Sequence, residues 1–239
     1  MKNKISNKII LISVASLVVV GISTALIYRF VKNKKGKSKI KNKNPKKILI
    51  IGDSQSAIES SSGNKITYTY PNLLQDKLKD KGVTIDVVAQ VGKTTDWMKK
   101  NLANRLKDKK YDRVIIYGGG NDTSNASIKL DTTLNNIQSM VDMSRENGAD
   151  AFVNLGYKIQ GDFGNYKIMP ITPYITSKEK WIPYVQKRKD LQKLIPQRIK
   201  NATFIPAYDL QSKTSDGIHP TASGHKIVAE KVYDTIVQK

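Results

Sequence analysis

The sequence predicts an α/β fold built on a parallel sheet. Short apolar runs alternate along the chain with segments whose apolar residues recur at helical spacing. The first run, ILII, is continuous, without intervening polar residues, as is typical of strands buried on both faces. We therefore expect helices to cover both sides of the sheet.

The elements follow one another in strict alternation. The first strand, KKILIIG, is an apolar run that ends in glycine, and the third, YDRVIIYGGG, has the same form. Strands are predicted over 46–52, 83–92, 111–120, 149–157 and 201–206. Helices are predicted over 70–82, 96–110, 130–148, 181–200 and 221–239, the fourth of them in spite of two prolines.

The N-terminal part of the chain has a different character from this domain, which we assign to 47–239. A basic start, 1–8, precedes the uncharged segment 9–28, whose 20 residues are long enough to span a bilayer as a helix. We predict an uncleaved transmembrane signal anchor there. The alternative is a signal peptide cleaved near the small residues Ser23-Thr24-Ala25. The basic linker, 29–46, reads either as a solvated spacer or as a contact for anionic lipids or polymers.

The net charge of +21 is concentrated in this N-terminal part. Residues 1–47 hold 13 of the 41 basic residues and no acidic one, whereas the remaining 192 residues hold 28 basic and 20 acidic residues. With no zinc-finger, RNP-like or basic-zipper pattern, this distribution argues against a nucleic-acid-binding protein. The absence of cysteine excludes disulfides, a thiol nucleophile and thiolate metal ligands.

Polar motifs follow the predicted strands at the edge where parallel strands end, which is where such sheets place their sites. GDSQS places Ser54 on the turn after the first strand, and GGND places Asn121 after the third. The only two histidines lie together in DGIHPTASGH. There, Asp216 precedes His219 by three residues, a spacing that lets a carboxylate orient an imidazole for base catalysis.

These strings resemble the conserved blocks of the SGNH (GDSL-type) hydrolases, in their usual order over 47–239. The resemblance implies a flavodoxin-like three-layer α/β/α sandwich with five parallel strands, and ester hydrolysis without a metal or cofactor. It implies Ser54 as nucleophile, with Asp216 and His219 as the other members of the triad. It also implies an oxyanion hole made by Ser54, Gly92 and Asn121.

Two residues that lie close in the sequence to His219 and Ser54 are assigned other roles. His225 matches a helical position and not the catalytic one, and Asp53 is predicted to form the turn.

The long segment 158–181 at the functional edge is rich in aromatic residues. Five aromatic side chains in or beside it either stack on sugar rings or pack against the body of the domain: Tyr157, Phe163, Tyr166, Tyr174 and Trp181. The sequence identifies no substrate-binding residue.

The function predicted from these features is a membrane-anchored serine esterase that removes O-acetyl or similar acyl groups from cell-envelope or exported glycans. Two alternatives stay open: a lysophospholipase or thioesterase that acts on membrane lipids, and a catalytically silent binding or structural module. Ten basic residues follow the apolar segment and three precede it, which favours a cytoplasmic domain. The predicted chemistry favours the opposite side, and we expect an extracytoplasmic domain.

Overall fold

The computed structural model describes residues 40, 44–60, 62–158, 178–210, 214 and 218–237. Its strands are β1 (Lys47–Gly52), β2 (Thr84–Ala89), β3 (Arg113–Tyr117), β4 (Asp150–Asn154) and β5 (Thr203–Ile205). Its helices are α1 (Tyr70–Leu78), α2 (Thr95–Asp108), α3 (Gly120–Ser124), α4 (Leu130–Glu146), α5 (Lys178–Arg198) and α6 (Ala222–Val237). The predicted anchor, 9–28, lies outside the described residues. No helix within them is long and apolar enough to cross a bilayer.

The strands form one sheet in the order β2-β1-β3-β4-β5, and every neighbouring pair is parallel. The predicted parallel five-stranded α/β sheet is therefore confirmed. From β1 the chain moves outward to β2 and then returns to the other side of β1 to form β3. The carboxyl ends of β1 and β3 consequently flank a crevice at the point where the strand order reverses, the usual ligand position in such sheets.

Helices cover both faces of this sheet, because the central strands bury both of theirs. In β1, Ile48 and Ile50 join one apolar cluster, while Leu49 and Ile51 join the other, and all four are fully buried. Helices α1 and α6 pack in the first cluster, and α2 and α4 pack in the second. Full burial of one such side chain contributes about 1.5–3 kcal/mol, so the sandwich requires both helical layers.

Helix α5 contributes to both clusters and passes the carboxyl edge of the sheet. Trp181 and Tyr184, near its start, belong to the cluster of α1 and α6. Leu191 and Ile195, further along, belong to the cluster of α2 and α4. The middle of the helix thus carries Arg188 to the ends of the strands.

The structure differs from the predicted elements mainly after β3. The stretch GGGND was predicted to be the end of a strand and a loop, but Gly120–Ser124 forms the short helix α3. Gly119 precedes it with a φ of 100°, a conformation that favours glycine. A Cβ atom at Gly119 would also approach Leu191 of α5 to 2.9 Å. Glycine at this position therefore lets α3 start directly at the strand end, under α5.

Candidate active site

The loops that follow β1, β2, β3 and β5 all leave the sheet at its carboxyl edge. Ser54 follows β1 by two residues, Gly92 lies in the turn between β2 and α2, and Asn121 lies in the first turn of α3. His219 belongs to the segment between β5 and α6. Parallel strands end at one edge, so the fold brings these four predicted site residues to the same side of the domain.

The turn after β1 presents Ser54 at its apex. Asp53 accepts a hydrogen bond from the Gln55 N–H at Oδ1 (3.0 Å), and its carbonyl accepts one from the Ser56 N–H (3.0 Å). Gly52 leaves no room for a side chain, since a Cβ atom there would lie 2.5 Å from the Ser56 hydroxyl oxygen. The predicted turn-forming role of Asp53 agrees with these bonds. Ser54 itself is partly exposed.

Ser54 and His219 meet directly, although 165 positions separate them in the chain. The Ser54 Oγ lies 3.0 Å from the His219 Nε2, which is hydrogen-bonding distance. His219 is partly exposed, as a group that must exchange protons with a substrate would be. A hydroxyl bonded to an imidazole in this way is the arrangement by which a base activates a nucleophile.

Two buried side chains hold the backbone beside His219. The Gln55 Nε2 donates to the Ile218 carbonyl at 3.0 Å, and the Tyr157 hydroxyl donates to the same oxygen. Gln55 neighbours Ser54, so one side chain links the serine turn to the histidine segment. This tie reduces the freedom of the two segments to move apart.

Asp216 lies outside the described residues, so its predicted role stays a prediction. The second histidine, His225, is placed by the structure on α6, where it is buried. Its Nδ1 accepts a hydrogen bond from the Tyr70 N–H at the start of α1 (3.2 Å). His225 thus joins two helices of the same layer and takes no part in the site.

The two other predicted oxyanion donors stand on neighbouring turns. Gly92 is exposed, with a φ of 76°, and apart from its chain neighbours no atom of the described residues lies within 4 Å of the position a Cβ would take. The Asn121 Nδ2 donates to the Lys93 carbonyl (2.9 Å), which ties α3 to the turn that contains Gly92. An amide NH₂ has two donor hydrogens, so this bond leaves one of them for another acceptor.

A buried network behind Asn121 was not foreseen from the sequence. The Asp122 carboxylate accepts the Thr95 N–H (2.9 Å) and also the Thr95 hydroxyl, and it accepts the Thr133 hydroxyl at 3.3 Å. Burial raises the pKa of Asp122. Through these bonds Asp122 fixes α3 against α2 and α4, and so orients Asn121. The motif GGND contains this aspartate, but nothing in its sequence separates it from an exposed cap.

Asp53 is an unusual carboxyl group because it lies buried beside the exposed serine. Burial raises the pKa of Asp53 to about 6, against the opposing effects of the Gln55 N–H, the Arg188 guanidinium and the nearby His219. The carboxylate and Arg188 are close enough to interact, but they form no ion pair within 4.0 Å.

Arg188 is the second feature that the sequence did not reveal. Its stretch, QKRKD, is typical of a solvated helix face, yet the structure places its guanidinium at the strand ends. The group lies over the ring of Tyr157, 5.6 Å from the centroid, and against the backbone of Gly120. Gly120 is the residue before Asn121, so this cation borders the predicted oxyanion hole.

The aromatic residues named for the long segment fall into two groups. Tyr157 and Trp181 are 2% and 1% exposed and belong to the apolar cluster of α1 and α6. They pack against the body of the domain, as one of the two interpretations predicted, and are not placed to stack on a sugar. Phe163, Tyr166 and Tyr174 lie outside the described residues.

A parallel α/β/α sandwich with a serine–histidine pair at the carboxyl edge of its sheet defines a hydrolase of the serine type. The GDSL-like Lipase/Acylhydrolase family matches residues 50–227, which is most of the chain. The chain therefore belongs to this family of carboxylic ester hydrolases, and the predicted resemblance to SGNH hydrolases is confirmed.

Solved structures have the same fold at low sequence identity. TesA is 23% identical, with a TM-score of 0.58 over 80% of this chain and 98% of its own. A lipase/acylhydrolase from Enterococcus faecalis is 19% identical, with a TM-score of 0.57 over 80% and 95%. An acetylxylan esterase from Geobacillus stearothermophilus is 16% identical, with a TM-score of 0.56 over 81% and 95%. No curated protein sequence matches the chain.

Proposed function

We propose that this esterase removes O-acetyl or similar short acyl groups from cell-envelope or exported glycans, with Ser54 as its nucleophile. The observation that carries the proposal is the 3.0 Å contact between the Ser54 Oγ and the His219 Nε2 at the carboxyl edge of the sheet. In the first step His219 takes the Ser54 proton while Oγ forms a bond to the ester carbonyl carbon. The bond to the sugar oxygen then breaks, and His219 protonates that oxygen.

Water completes the reaction by the same path in reverse. His219 takes a proton from water, the hydroxide attacks the acyl-serine, and the Ser54 oxygen leaves with the proton as the acid is released. Asp216 is the group we propose to orient the imidazole. The negative oxygen of both tetrahedral intermediates would accept hydrogen bonds from the backbone N–H groups of Ser54 and Gly92 and from the Asn121 side-chain amide. Each such donor typically lowers the barrier by about 2.7–4 kcal/mol.

The choice of a glycan ester draws on two features. Ser54 and His219 are both only partly buried, as suits a large alcohol that stays mostly in solvent. A structure of the same fold is an acetylxylan esterase, an enzyme that acts on an acetylated polysaccharide. Neither feature requires a deep acyl channel.

The proposal includes attachment to a membrane through 9–28, with the esterase domain outside the cytoplasm. The 20-residue uncharged segment supports attachment, and the basic linker 29–46 would reach anionic headgroups or polymers beside it. Fractionation of cells with and without this segment, followed by protease treatment of intact cells, tests both statements. A domain that resists protease until the cells are broken would contradict the outward orientation.

The substrate class is tested by the acid that the full-length protein releases. Incubation with acetylated xylo-oligosaccharides should release acetate, and incubation with lysophosphatidylcholine should release little fatty acid. Ser54→Ala should lower acetate release by about 10³-fold or more, because no nucleophile remains. The matched control is Ser56→Ala, which removes a neighbouring hydroxyl that is bonded to Tyr70 instead of to His219.

Each contrary outcome has a distinct meaning. Full activity of Ser54→Ala would refute the proposed nucleophile. Fatty acid release in preference to acetate would refute the glycan ester and support the lipid alternative. A serine-directed fluorophosphonate that labels the wild type and Ser56→Ala, but not Ser54→Ala, identifies the nucleophile without any assumption about the substrate.

A further inference from the structure

We propose that Arg188 binds an acidic group of the substrate beside the scissile ester, so that the preferred substrate is an acylated sugar that carries a carboxylate or phosphate. This inference rests on the proposed function, because it names a feature of the ester that Ser54 attacks. It begins from the position of the guanidinium at the strand ends, between the turn of β1 and the start of α3.

The guanidinium has donors to offer. Arg188 is partly exposed, and within the described part of the chain no oxygen atom accepts a hydrogen bond from it and no carboxylate lies within 4.0 Å. A guanidinium has five N–H donors in a planar fork that matches a carboxylate or phosphate. A cation at an active-site edge with its fork unused is a binding site for a doubly accepting oxyanion.

The guanidinium is also held in place before any ligand arrives. The ring of Tyr157 lies under it at 5.6 Å, and the Tyr157 hydroxyl is itself fixed by the Ile218 carbonyl. A Cβ atom at Gly120 would collide with its Nη1, and one at Gly156 would lie 3.6 Å from its Nη2. The absence of side chains at both glycines makes the space that the fork occupies. Such preorganisation lowers the entropic cost of binding.

The charges around the fork favour an anion. Lys93, next to Gly92 and bonded through its carbonyl to Asn121, adds a second cation at this edge. Of the described acidic residues near the site, Asp53 and Asp122 are both buried and hydrogen bonded within the protein. Neither is therefore placed to receive the cationic end of a ligand.

The adjoining surface has room for further sugar units. A cavity of about 790 Å³ lies between α5 and the connection from α3 to α4, which is within the usual range for ligand sites. Its lining combines the polar residues Thr123, Ser127 and Lys129 with the apolar Ile128 and Pro183 and the acidic Glu179. Tyr184 also lines it and lies four residues before Arg188, on the same face of α5.

The test compares three esters that differ only at C6: the methyl glycosides of mono-acetylated glucose, glucuronic acid and glucose 6-phosphate. For the full-length protein, kcat/KM for at least one acidic ester should exceed that for the neutral ester by about 10–100-fold, as one charge-assisted hydrogen-bond pair supplies. Arg188→Gln should reduce this ratio to about one. Comparison of the two acidic arms distinguishes a carboxylate from a phosphate.

Two further variants separate recognition from mere charge or folding. Lys189→Gln removes the same charge from the neighbouring exposed position on α5 and should leave the ratio unchanged. Arg188→Lys keeps the charge but loses the fork, so its ratio should fall between those of the wild type and Arg188→Gln. If Arg188→Gln does not fold, the ratio of kcat/KM values for Arg188→Lys decides whether Arg188 recognises the acidic group. A wild-type ratio near one, or an equal loss on acidic and neutral esters in the Arg188 variants, overturns the proposal.

A binding measurement keeps this inference separate from the proposed catalytic mechanism. Calorimetry with Ser54→Ala and the intact acidic esters should show binding that the neutral ester lacks, and Ser54→Ala/Arg188→Gln should abolish it. Binding with no hydrolysis by the wild type would refute the proposed function but support the role of Arg188. Hydrolysis with no preference in either assay would refute the role of Arg188 alone.

Discussion

The two histidines of this chain stand six positions apart and differ in solvent exposure, in secondary structure and in hydrogen-bonded partner. His219 is partly exposed on a loop, and its Nε2 lies 3.0 Å from a serine hydroxyl. His225 is 6% exposed on α6, and its Nδ1 accepts a backbone N–H of α1. Burial lowers the pKa of His225 to about 4, with a smaller contribution from His219. The comparison teaches that solvent access and the bonded partner distinguish two histidines that lie close together in the sequence, and we expect their reactivity to differ accordingly.

The largest expected effect comes from removing the exposed histidine. His219→Ala should lower kcat for a short acyl ester by about 10³-fold or more, because a general base typically contributes 10²–10⁴-fold and the serine loses its activation. The melting temperature should change little, because the lost side chain is partly exposed. Ester kinetics give kcat, and a thermal unfolding curve on the same preparation gives the melting temperature.

The converse change, His225→Ala, supplies the control for that experiment. The activity of each folded molecule should persist, while the protein should lose stability through the unpaired Tyr70 N–H. If His225→Ala lost activity as severely as His219→Ala without unfolding, the division of labour between the two histidines would be wrong.

The next effect is a dependence of stability on pH. The pKa of His225 is about 4 in the fold against 6.5 when exposed, so the unfolded chain binds the extra proton between these values. This contribution to the free energy of unfolding is fully present above pH 6.5 and is lost as the pH falls toward 4. The total loss is about 3 kcal/mol. Denaturant unfolding at several pH values should show a shallower acid loss in His225→Gln than in the wild type.

Asp53 serves as a control because its contribution to stability should change with pH in the opposite direction. Its pKa is raised from 3.8 to about 6 in the fold, so the folded chain binds the extra proton between these values. The contribution of Asp53 is therefore present below pH 3.8 and is lost as the pH rises through 6. Asp53→Asn should steepen the acid loss that His225→Gln flattens. The same direction of change in both variants would contradict the environments described for them.

The smallest effect concerns the ring that borders the buried histidine. Tyr68 is half exposed, and its ring centroid lies 6.1 Å from that of His225. Tyr68→Ala should lower the free energy of unfolding by about 0.5–1.5 kcal/mol, the usual contribution of an aromatic pair. It should leave the rate of ester hydrolysis unchanged. A double-mutant cycle with His225→Gln measures the pair directly, and a coupling of zero would show that the two rings do not stabilise one another.

Much of the fold was predictable because burial on both faces leaves a clear pattern. The run ILII in β1 and the run VII in β3 have no polar residue, and both became central strands. The bounds were less predictable, since β2 ends at Ala89, three residues before the predicted end of the strand at residue 92. Helix α3 could not be predicted because its five residues, which begin at the third of three glycines, have no helical periodicity, and its packing under α5 explains it.

The candidate site is predictable where chemistry restricts the choice of residue. The chain has two histidines, and His219 alone follows an aspartate by three positions, so the sequence distinguishes it from His225. Arg188 did not stand out, because it sits between two lysines in a chain with 41 basic residues. Its position depends on the path of α5 across the sheet, which is a tertiary property. Asp122 was missed for the same reason, because its partners come from α2 and α4.

The bonds that Gln55 and Tyr157 donate to the Ile218 carbonyl have a consequence for the order of folding. Gln55 and Tyr157 precede Ile218 by 163 and 61 positions, so the segment that contains His219 is aligned by contacts between distant parts of the chain. Contacts of high sequence separation form late because loop closure costs entropy. Refolding should therefore restore the helices before it restores the contact between these two segments.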